Sequence, residues 1–133
     1  MTTHTFLHPR GWKKPQGYAN GIRAEGRLIF VAGQVGWNAE QRFDSQDFVA
    51  QVRQALNNIA AIVHEAGGKV EHITRLTWFV IDKNDYLSRL SELGEAYRSV
   101  MGKHFPAMTL VQVAALVVDG AKVEIEATAV LPN

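Results

Sequence analysis

The end of the chain, residues 104–131, is mostly apolar but becomes strictly alternating in its last stretch. This pattern predicts two β-strands joined by a turn at Asp119–Gly120. Successive side chains of a strand point to opposite faces, so the second strand carries two different faces. The apolar set is Val123, Ile125, Ala127 and Ala129, and the set on the other face is Glu124, Glu126 and Thr128.

A different spacing, with apolar residues three or four positions apart, runs through the first half of the chain. It predicts a helix that is capped by Asp44 or Ser45, runs to Ala66 and is stopped by Gly67–Gly68. Its apolar stripe consists of Phe48, Val52, Ala55, Leu56, Ile59, Ile62, Val63 and Ala66.

Residues 73–81 are rich in β-branched and aromatic side chains, which favours a strand covered on both faces. A second helix is predicted over residues 84–101, with Asp82 or Asn84 as its cap and Gly102 as its stop. Gly94 inside this helix costs about 1 kcal/mol relative to alanine. We therefore expect another group to pack closely against Gly94.

The N-terminal part is less regular. Residues 1–16 predict an irregular arm or an edge strand, and residues 18–24 and 28–35 predict two strands. Glu25–Gly26 favours a hairpin between them, although Asn20–Gly21 is a competing turn signal.

The predicted order is β-β-α-β-α-β-β, an α/β (α+β) fold with residues 1–133 forming a single domain. Right-handed crossovers then place both helices on one face of a single mixed sheet. The opposite face is too apolar for solvent, because it draws on residues 28–35 and on Val111, Val113, Val117 and Val130. A bare apolar face of this size predicts association, most simply as a closed ring of copies.

Composition narrows the range of functions. The 133 residues carry a formal net charge of +1, which argues against a large nucleic-acid-binding face. The chain has no cysteine, so disulfides and thiolate chemistry are excluded. No signal-peptide pattern and no apolar run of the ~20 residues needed to cross a bilayer are present, which favours a cytoplasmic protein that does not contact membranes.

Glu124 is the first candidate for chemistry, because burial among apolar strand residues prepares a carboxyl group for general acid or base catalysis. The alternative is a solvated strand face, or a structural ion pair with Lys122 or Arg75. A structural role is favoured for Glu126, which lies ~7 Å further along the same face.

Other candidate motifs are weaker. The histidines lack metal-ligand spacing; we expect His64 and His72 to face solvent, and His104 is a candidate to approach a cleft. The sequence GQVGW, residues 33–37, lacks a phosphate-binding pattern. A basic and aromatic cluster is compatible with single-stranded RNA, but a surface arm is the favoured interpretation. The cluster comprises Arg10, Trp12, Lys13, Lys14 and Tyr18.

Several motifs together resemble the Rid family of reactive intermediate deaminases, also called the YjgF or endoribonuclease L-PSP family. They are GYANGI (17–22), LIFVAGQV (28–35), QVRQALNNIAAIVHEAG (51–67), LTWFVID (76–82), FPAMTLVQVAAL (105–116) and VEIEATAV (123–130). The resemblance implies a chorismate-mutase-like fold, assembly as a homotrimer and small-molecule clefts between subunits.

The resemblance also implies an activity, the hydrolysis of imines and enamines to 2-keto acids and ammonia without a metal or organic cofactor. Matching site positions are Tyr18, the Gly33 backbone, the Leu110 main chain and Glu124, where the family's glutamate positions the attacking water. The family's carboxylate-binding arginine is replaced by Met108, and an asparagine of the second helix is replaced by Gly94.

A thioether has neither charge nor donor, so Met108 cannot clamp a carboxylate as an arginine does. The sequence therefore predicts a hydrolase of an imine, an enamine or a related metabolite that is a poor 2-iminobutanoate deaminase. Any anionic group would be held elsewhere, with Arg10, Lys13 and Lys14 as candidates. The alternatives are a non-catalytic trimer that binds a small metabolite and, less favoured, an endoribonuclease or translation inhibitor.

Overall fold

The computed structural model describes residues 4–133, so residues 1–3 of the predicted arm lie outside the described part. The strands are β1 (Thr5–Leu7), β2 (Gly21–Arg23), β3 (Arg27–Val35), β4 (Ile73–Val80), β5 (Ala107–Gln112) and β6 (Val123–Leu131). The helices are α1 (Phe48–Glu65), α2 (Lys83–Leu87) and α3 (Leu90–Met101), and a 3₁₀ turn covers Val70–His72.

The main sheet has four strands in the order β3-β6-β4-β5, and only the β4–β5 pair is parallel. Helix α1 packs against β3, β6 and α3, and the buried core lies between these helices and one face of the sheet. The predicted α+β class and mixed sheet are confirmed. A separate two-stranded sheet, formed by β1 and β2, adds to it.

The two predicted hairpins are wrong. Strand β2 pairs with β1 in the arm, while β3 pairs with β6 at the other end of the sequence. Strands β5 and β6 are not neighbours, because β4 lies between them. The predicted turn at Asp119–Gly120 does form, with the N–H of Ala121 donating to the carbonyl of Val118 at 3.2 Å. Burial decides the pairing instead, because β6 is apolar at each inward position and gains more as a central strand than at an edge.

The loop between β5 and β6 is held by a buried amide instead of a tight hairpin. Gln51 of α1 is only 1% exposed, and its Nε2 donates to the carbonyls of Ser45 and Gly120 at 3.1 and 3.0 Å. The backbone N–H of Lys122 donates to its Oε1 at 2.8 Å. The Gln51 side chain therefore connects the start of α1 with the loop that leads into β6.

Helix α1 starts later than predicted. Asp47 is the N-cap and accepts from the backbone N–H of Ala50 at 3.0 Å, while Ser45 Oγ accepts from the N–H of Asp47. The predicted stop is confirmed, since Gly67 has a φ of +85°. Most of the predicted stripe is buried, but Ile62 is 38% exposed.

The predicted second helix is two helices separated at Ser88–Arg89. Asp82 caps α2 by accepting from the N–H of Asn84 at 2.9 Å, as the sequence predicts. Arg89 leaves the helical conformation, and its guanidinium pairs with Asp47 at 2.5 Å and Glu92 at 2.7 Å. These bonds join the start of α3 to the N-cap of α1. Gly102 ends α3 with a φ of +60°.

The sheet face away from the helices is uncovered, as predicted, but it is apolar mainly on the outer strands, because Glu124, Glu126 and Thr128 of β6 make its centre polar. Leu28 and Phe30 on β3 are 60% and 77% exposed, and Val111 on β5 is 40% exposed. We call these three residues, with Glu124 and Thr128 of β6, the bare face. Val130 departs from the prediction because it is buried, with His4 reaching its carbonyl.

Candidate functional site

Glu124 lies on the bare face, in register with Phe79 of β4. Its side chain is half-buried and lies directly over the backbone of Gly33 on β3. A methyl group at Gly33 would lie 2.2 Å from Glu124 Oε2 and 2.9 Å from its carboxyl carbon. Any side chain at Gly33 would therefore displace the carboxylate from its present position. The alternative ion pair with Lys122 or Arg75 is not formed within residues 4–133.

The backbone beside Glu124 is irregular. The pairing of β3 with β6 is regular up to Val31, which lies opposite Ala127, and resumes at Gln34, which lies opposite Ile125. Strand β3 therefore has one extra residue in this interval, and Ala32 and Gly33 form a β-bulge. Bulges interrupt ladder pairing and often occur beside active sites. This bulge therefore places main-chain groups of Gly33 next to a carboxylate, which is a suitable arrangement for holding water or a polar ligand.

Tyr18, Met108 and Leu110 lie together elsewhere. They line a cavity of about 250 Å³, which we call the Met108 cavity. Tyr18 reaches this cavity because the arm runs beside β5, the edge strand of the sheet. The N–H of Ala19 donates to the carbonyl of Pro106 at 3.0 Å and holds the arm there. The other lining residues are Gln16, Gly17, Trp78 and Tyr86.

The two groups are on opposite faces of the sheet. Met108 and Leu110 are in register with Leu76 and Trp78, which face the helices, whereas Glu124 is in register with Phe79. Neither Gly33 nor Glu124 lines the Met108 cavity. One copy of the chain thus brings together Tyr18, Met108 and Leu110, and separately Gly33 and Glu124.

The Met108 cavity continues towards α3, where a second lobe of about 330 Å³ is walled by aromatic rings. The rings of Tyr97 and Phe105 stack 5.2 Å apart, and Trp78 and Tyr86 meet edge to face at 6.3 Å. Sequence reasoning missed this lobe and its Arg98, although the four-residue spacing of Gly94 and Arg98 places them on the same helix face. The sequence candidates Arg10, Lys13 and Lys14 line neither lobe.

Tyr97 and His104 support the cavity from behind. The Tyr97 hydroxyl donates to the carbonyl of His104 at 2.6 Å, and burial raises the pKa of Tyr97 above its usual range. His104 Nε2 lies 2.6 Å from the carbonyl of Ile73, and desolvation by burial lowers the pKa of His104. His104 lines neither lobe, so its observed role is to join the start of β5 to β4.

The predictions for the other two histidines, His64 and His72, have different outcomes. His64 is exposed, as expected, but His72 is only 6% exposed, so its predicted exposure is wrong. Its Nδ1 accepts from the N–H of Lys69 at 2.9 Å, which closes the 3₁₀ turn before β4. Across residues 4–133, no three His, Asp or Glu side chains form a group that could hold a metal ion. In the same range, no helix is long and apolar enough to span a bilayer.

Comparisons with known proteins agree on one family. The chain is 40% identical over 113 residues to the 2-iminobutanoate/2-iminopropanoate deaminase of Escherichia coli K12, covering 85% of this chain and 86% of that protein. The Rid family protein YyfB of Yersinia pestis superposes with a TM-score of 0.85 at 28% identity, over 96% of this chain and 98% of that one.

Escherichia coli TdcF with bound serine superposes with a TM-score of 0.69 at 33% identity, over 91% of both chains. The sequence profile described as Endoribonuclease L-PSP matches residues 12–131. With nearly the whole chain matched by this profile, and with a similar fold in a Rid protein, the chain belongs to the endoribonuclease L-PSP family, which is the YjgF or Rid family.

Proposed function

We propose that this protein is a homotrimer that hydrolyses an imine, an enamine or a related small metabolite in clefts between its subunits. Residues 1–133 act as one domain in this assembly. The observation that carries the proposal is the division of the site residues between two faces of one sheet. Covering the bare face with a second copy would bring the Gly33–Glu124 pair of one subunit towards the Met108 cavity of another. The relatedness to an imine deaminase supports the same conclusion.

The proposed hydrolysis needs one carboxylate, that of Glu124. Glu124 holds a water molecule and takes one of its protons while the water oxygen forms a bond to the imine carbon. When the imine is protonated on nitrogen, this addition gives a neutral carbinolamine, and the proton on Glu124 passes to its nitrogen. The C–N bond then breaks with its electron pair on the departing ammonia, and Glu124 takes the hydroxyl proton as the C=O bond forms and passes it to the ammonia. The products are a carbonyl compound and ammonia, and no electron is transferred to a cofactor.

Met108 sets the expected substrate range. A bidentate arginine contact to a carboxylate is charge-assisted and directional, and a thioether supplies neither property. Short imino acids such as 2-iminobutanoate therefore lose their main anchor at this position. We expect weak turnover of these acids.

The same substitution favours a second candidate, a trimer that binds a small metabolite without turning it over. TdcF with bound serine indicates that a related fold can hold a small amino acid. In this case Met108 would mark a cavity adapted to binding.

The test is ammonia release from imines formed in situ by an amino-acid oxidase. We expect Glu124→Gln to lower kcat/KM about 10²–10⁴-fold, because general acid or base catalysis contributes this much. The matched control is Glu126→Gln, since Glu126 lies on the same face of the same strand but is exposed. Met108→Arg should raise turnover of 2-iminobutanoate.

Equal losses in the two glutamate variants would contradict a special role for Glu124. If no imine is hydrolysed by wild type or by Met108→Arg while small metabolites raise the melting temperature, the binding trimer is the better description.

A further inference from the structure

A single charged side chain, Arg98, lines the lobe of the Met108 cavity that approaches α3. The remaining lining residues of this lobe are apolar, aromatic, amide or glycine residues. A cavity with aromatic walls and one cation suits a ligand with an apolar body and one anionic group.

Gly94 explains how the guanidinium reaches this position. A methyl group at Gly94 would lie 3.0 Å from Arg98 Nη1 and 3.7 Å from Nη2 and Cζ, so the guanidinium folds back over the glycine. Glycine within a helix is unfavourable, and the three nearest atoms that a methyl group would meet outside the helix backbone all belong to Arg98. The predicted close neighbour of Gly94 is therefore this guanidinium.

Arg98 is also unpaired. Within residues 4–133 its side chain makes no hydrogen bond or ion pair, whereas Arg89, at the start of the same helix, is bonded to both Asp47 and Glu92. A guanidinium presents several donors in a planar fork that matches a carboxylate. Arg98 thus has its donors available at the rim of the cavity in which Met108 lacks any.

We propose that Arg98 is the anion-binding residue of the Met108 cavity and that its ligand is a carboxylate with an aromatic or bulky apolar side chain. The inference rests on the part of the proposed function that makes this cavity the ligand pocket. Arg98 pairs with the carboxylate, and the rings of Trp78, Tyr86 and Phe105 contact the apolar body. Short acids cannot fill these walls, so they bind less tightly than aryl-substituted acids.

The test is calorimetric titration with phenylpyruvate and with the uncharged phenylacetone. Arg98→Gln should weaken phenylpyruvate binding about 5-fold, since Arg98 is exposed and solvent screens its ion pair, and leave phenylacetone unchanged. Arg98→Lys should retain part of the affinity. The matched control is Arg53→Gln, an exposed arginine on α1 that lines neither lobe, which should bind phenylpyruvate as wild type does.

Gly94→Ala separates a binding role from a structural one. The added methyl displaces the guanidinium by a few tenths of an ångström while improving helix propensity. We expect a higher melting temperature together with weaker phenylpyruvate binding. Unchanged affinity in Arg98→Gln, or no binding of phenylpyruvate by wild type, would overturn the proposal.

The outcomes also distinguish this inference from the hydrolase proposal. Phenylpyruvate binding that depends on Arg98, without ammonia release from any imine, supports the inference and contradicts the hydrolase. Ammonia release from phenylalanine-derived imine that depends on Glu124 but is unaffected by Arg98→Gln supports the hydrolase and overturns the inference.

Discussion

The two faces of the main sheet differ in composition and in burial. The helix-covered face is apolar, whereas the bare face combines apolar residues of the outer strands with Glu124, Glu126 and Thr128 of β6. On the helix-covered face Leu76 and Ile125 are fully buried and Trp78 is 3% exposed. On the bare face Leu28 and Phe30 are more than half exposed. The strand β6 contributes to both faces, because its side chains alternate between them.

The two sheet faces therefore have different roles. The helix-covered face is completed within one copy and supplies the folding free energy of that copy. The bare face is uncovered in one copy and carries Glu124 and the Gly33 bulge, and in the proposed trimer another copy covers it. Each prediction below tests this division, beginning with the largest expected effect.

The largest effect is expected from removing a side chain on the helix-covered face. Ile125→Ala should lower the free energy of unfolding by about 2–5 kcal/mol, because it leaves a cavity in a fully buried site. Urea denaturation at a fixed protein concentration measures it. Glu65→Ala, at an exposed position on α1, should change stability by less than about 0.5 kcal/mol. Similar losses in both variants would show that the helix-covered face does not supply the folding free energy in this way.

A charge on the bare face should dissociate the proposed trimer and leave the fold of each copy intact. Phe30→Asp removes the burial of one large aromatic side chain, about 2–3 kcal/mol per copy, and adds a desolvation penalty. Sedimentation equilibrium should show monomers with native secondary structure. The control is Ile62→Asp, since Ile62 is an exposed apolar residue on α1 away from this face. A monomeric wild-type protein would contradict the interpretation.

On the edge strand β3, Gly33→Ala should displace the Glu124 carboxylate. The added methyl would lie 2.2 Å from Oε2, and overpacking of this kind costs about 1–3 kcal/mol. We expect a large fall in the rate of ammonia release and only a small fall in the free energy of unfolding. Gly21→Ala is the control, because its nearest neighbour is Leu7 at an ordinary 3.5 Å. Combining Gly33→Ala with Glu124→Ala should restore stability, and additive losses would exclude the contact.

The smallest effect concerns pH. Burial lowers the pKa of His104 below its ordinary 6.5, so the unfolded chain binds a proton more readily than the folded one. Stability from this group is therefore full above pH 6.5 and is lost as pH falls below it. His4, His72 and Glu71 also act on this imidazole, the two histidines lowering its pKa and the glutamate raising it.

The measurement is urea denaturation of three proteins at pH 7.5, 6 and 5. We expect His104→Gln to lose less stability than wild type over this range and the exposed His64→Gln to lose as much. An unchanged slope in His104→Gln would assign the pH dependence to other groups.

Much of the fold could be predicted from local patterns. The stripe of α1, its stop at Gly67, the cap Asp82 and the alternation of β6 are each properties of neighbouring residues, and each is observed. The strand pairings could not be predicted in this way. The β2–β1, β3–β6 and β4–β5 pairs depend on which apolar strand gains most from the centre of the sheet, and this gain is a property of the whole chain.

The candidate site, too, could be predicted from the sequence only in part. Glu124 and Met108 could be named from sequence, but their separation by the sheet, the Gly33 contact and the folding of Arg98 over Gly94 could not. Side-chain contacts between distant segments carry no short-range signal. Arg98 in particular resembles any exposed helical arginine until the cavity beside it is seen.

By itself, the sequence determined most of the elements, the apolar character of the helix-covered sheet face and the replacement of an expected guanidinium by Met108. It did so because periodicity and residue chemistry are local properties. Only the tertiary structure decided the strand order, the face on which each candidate residue lies and the position of Arg98, because these depend on the burial of residues that are far apart in the chain.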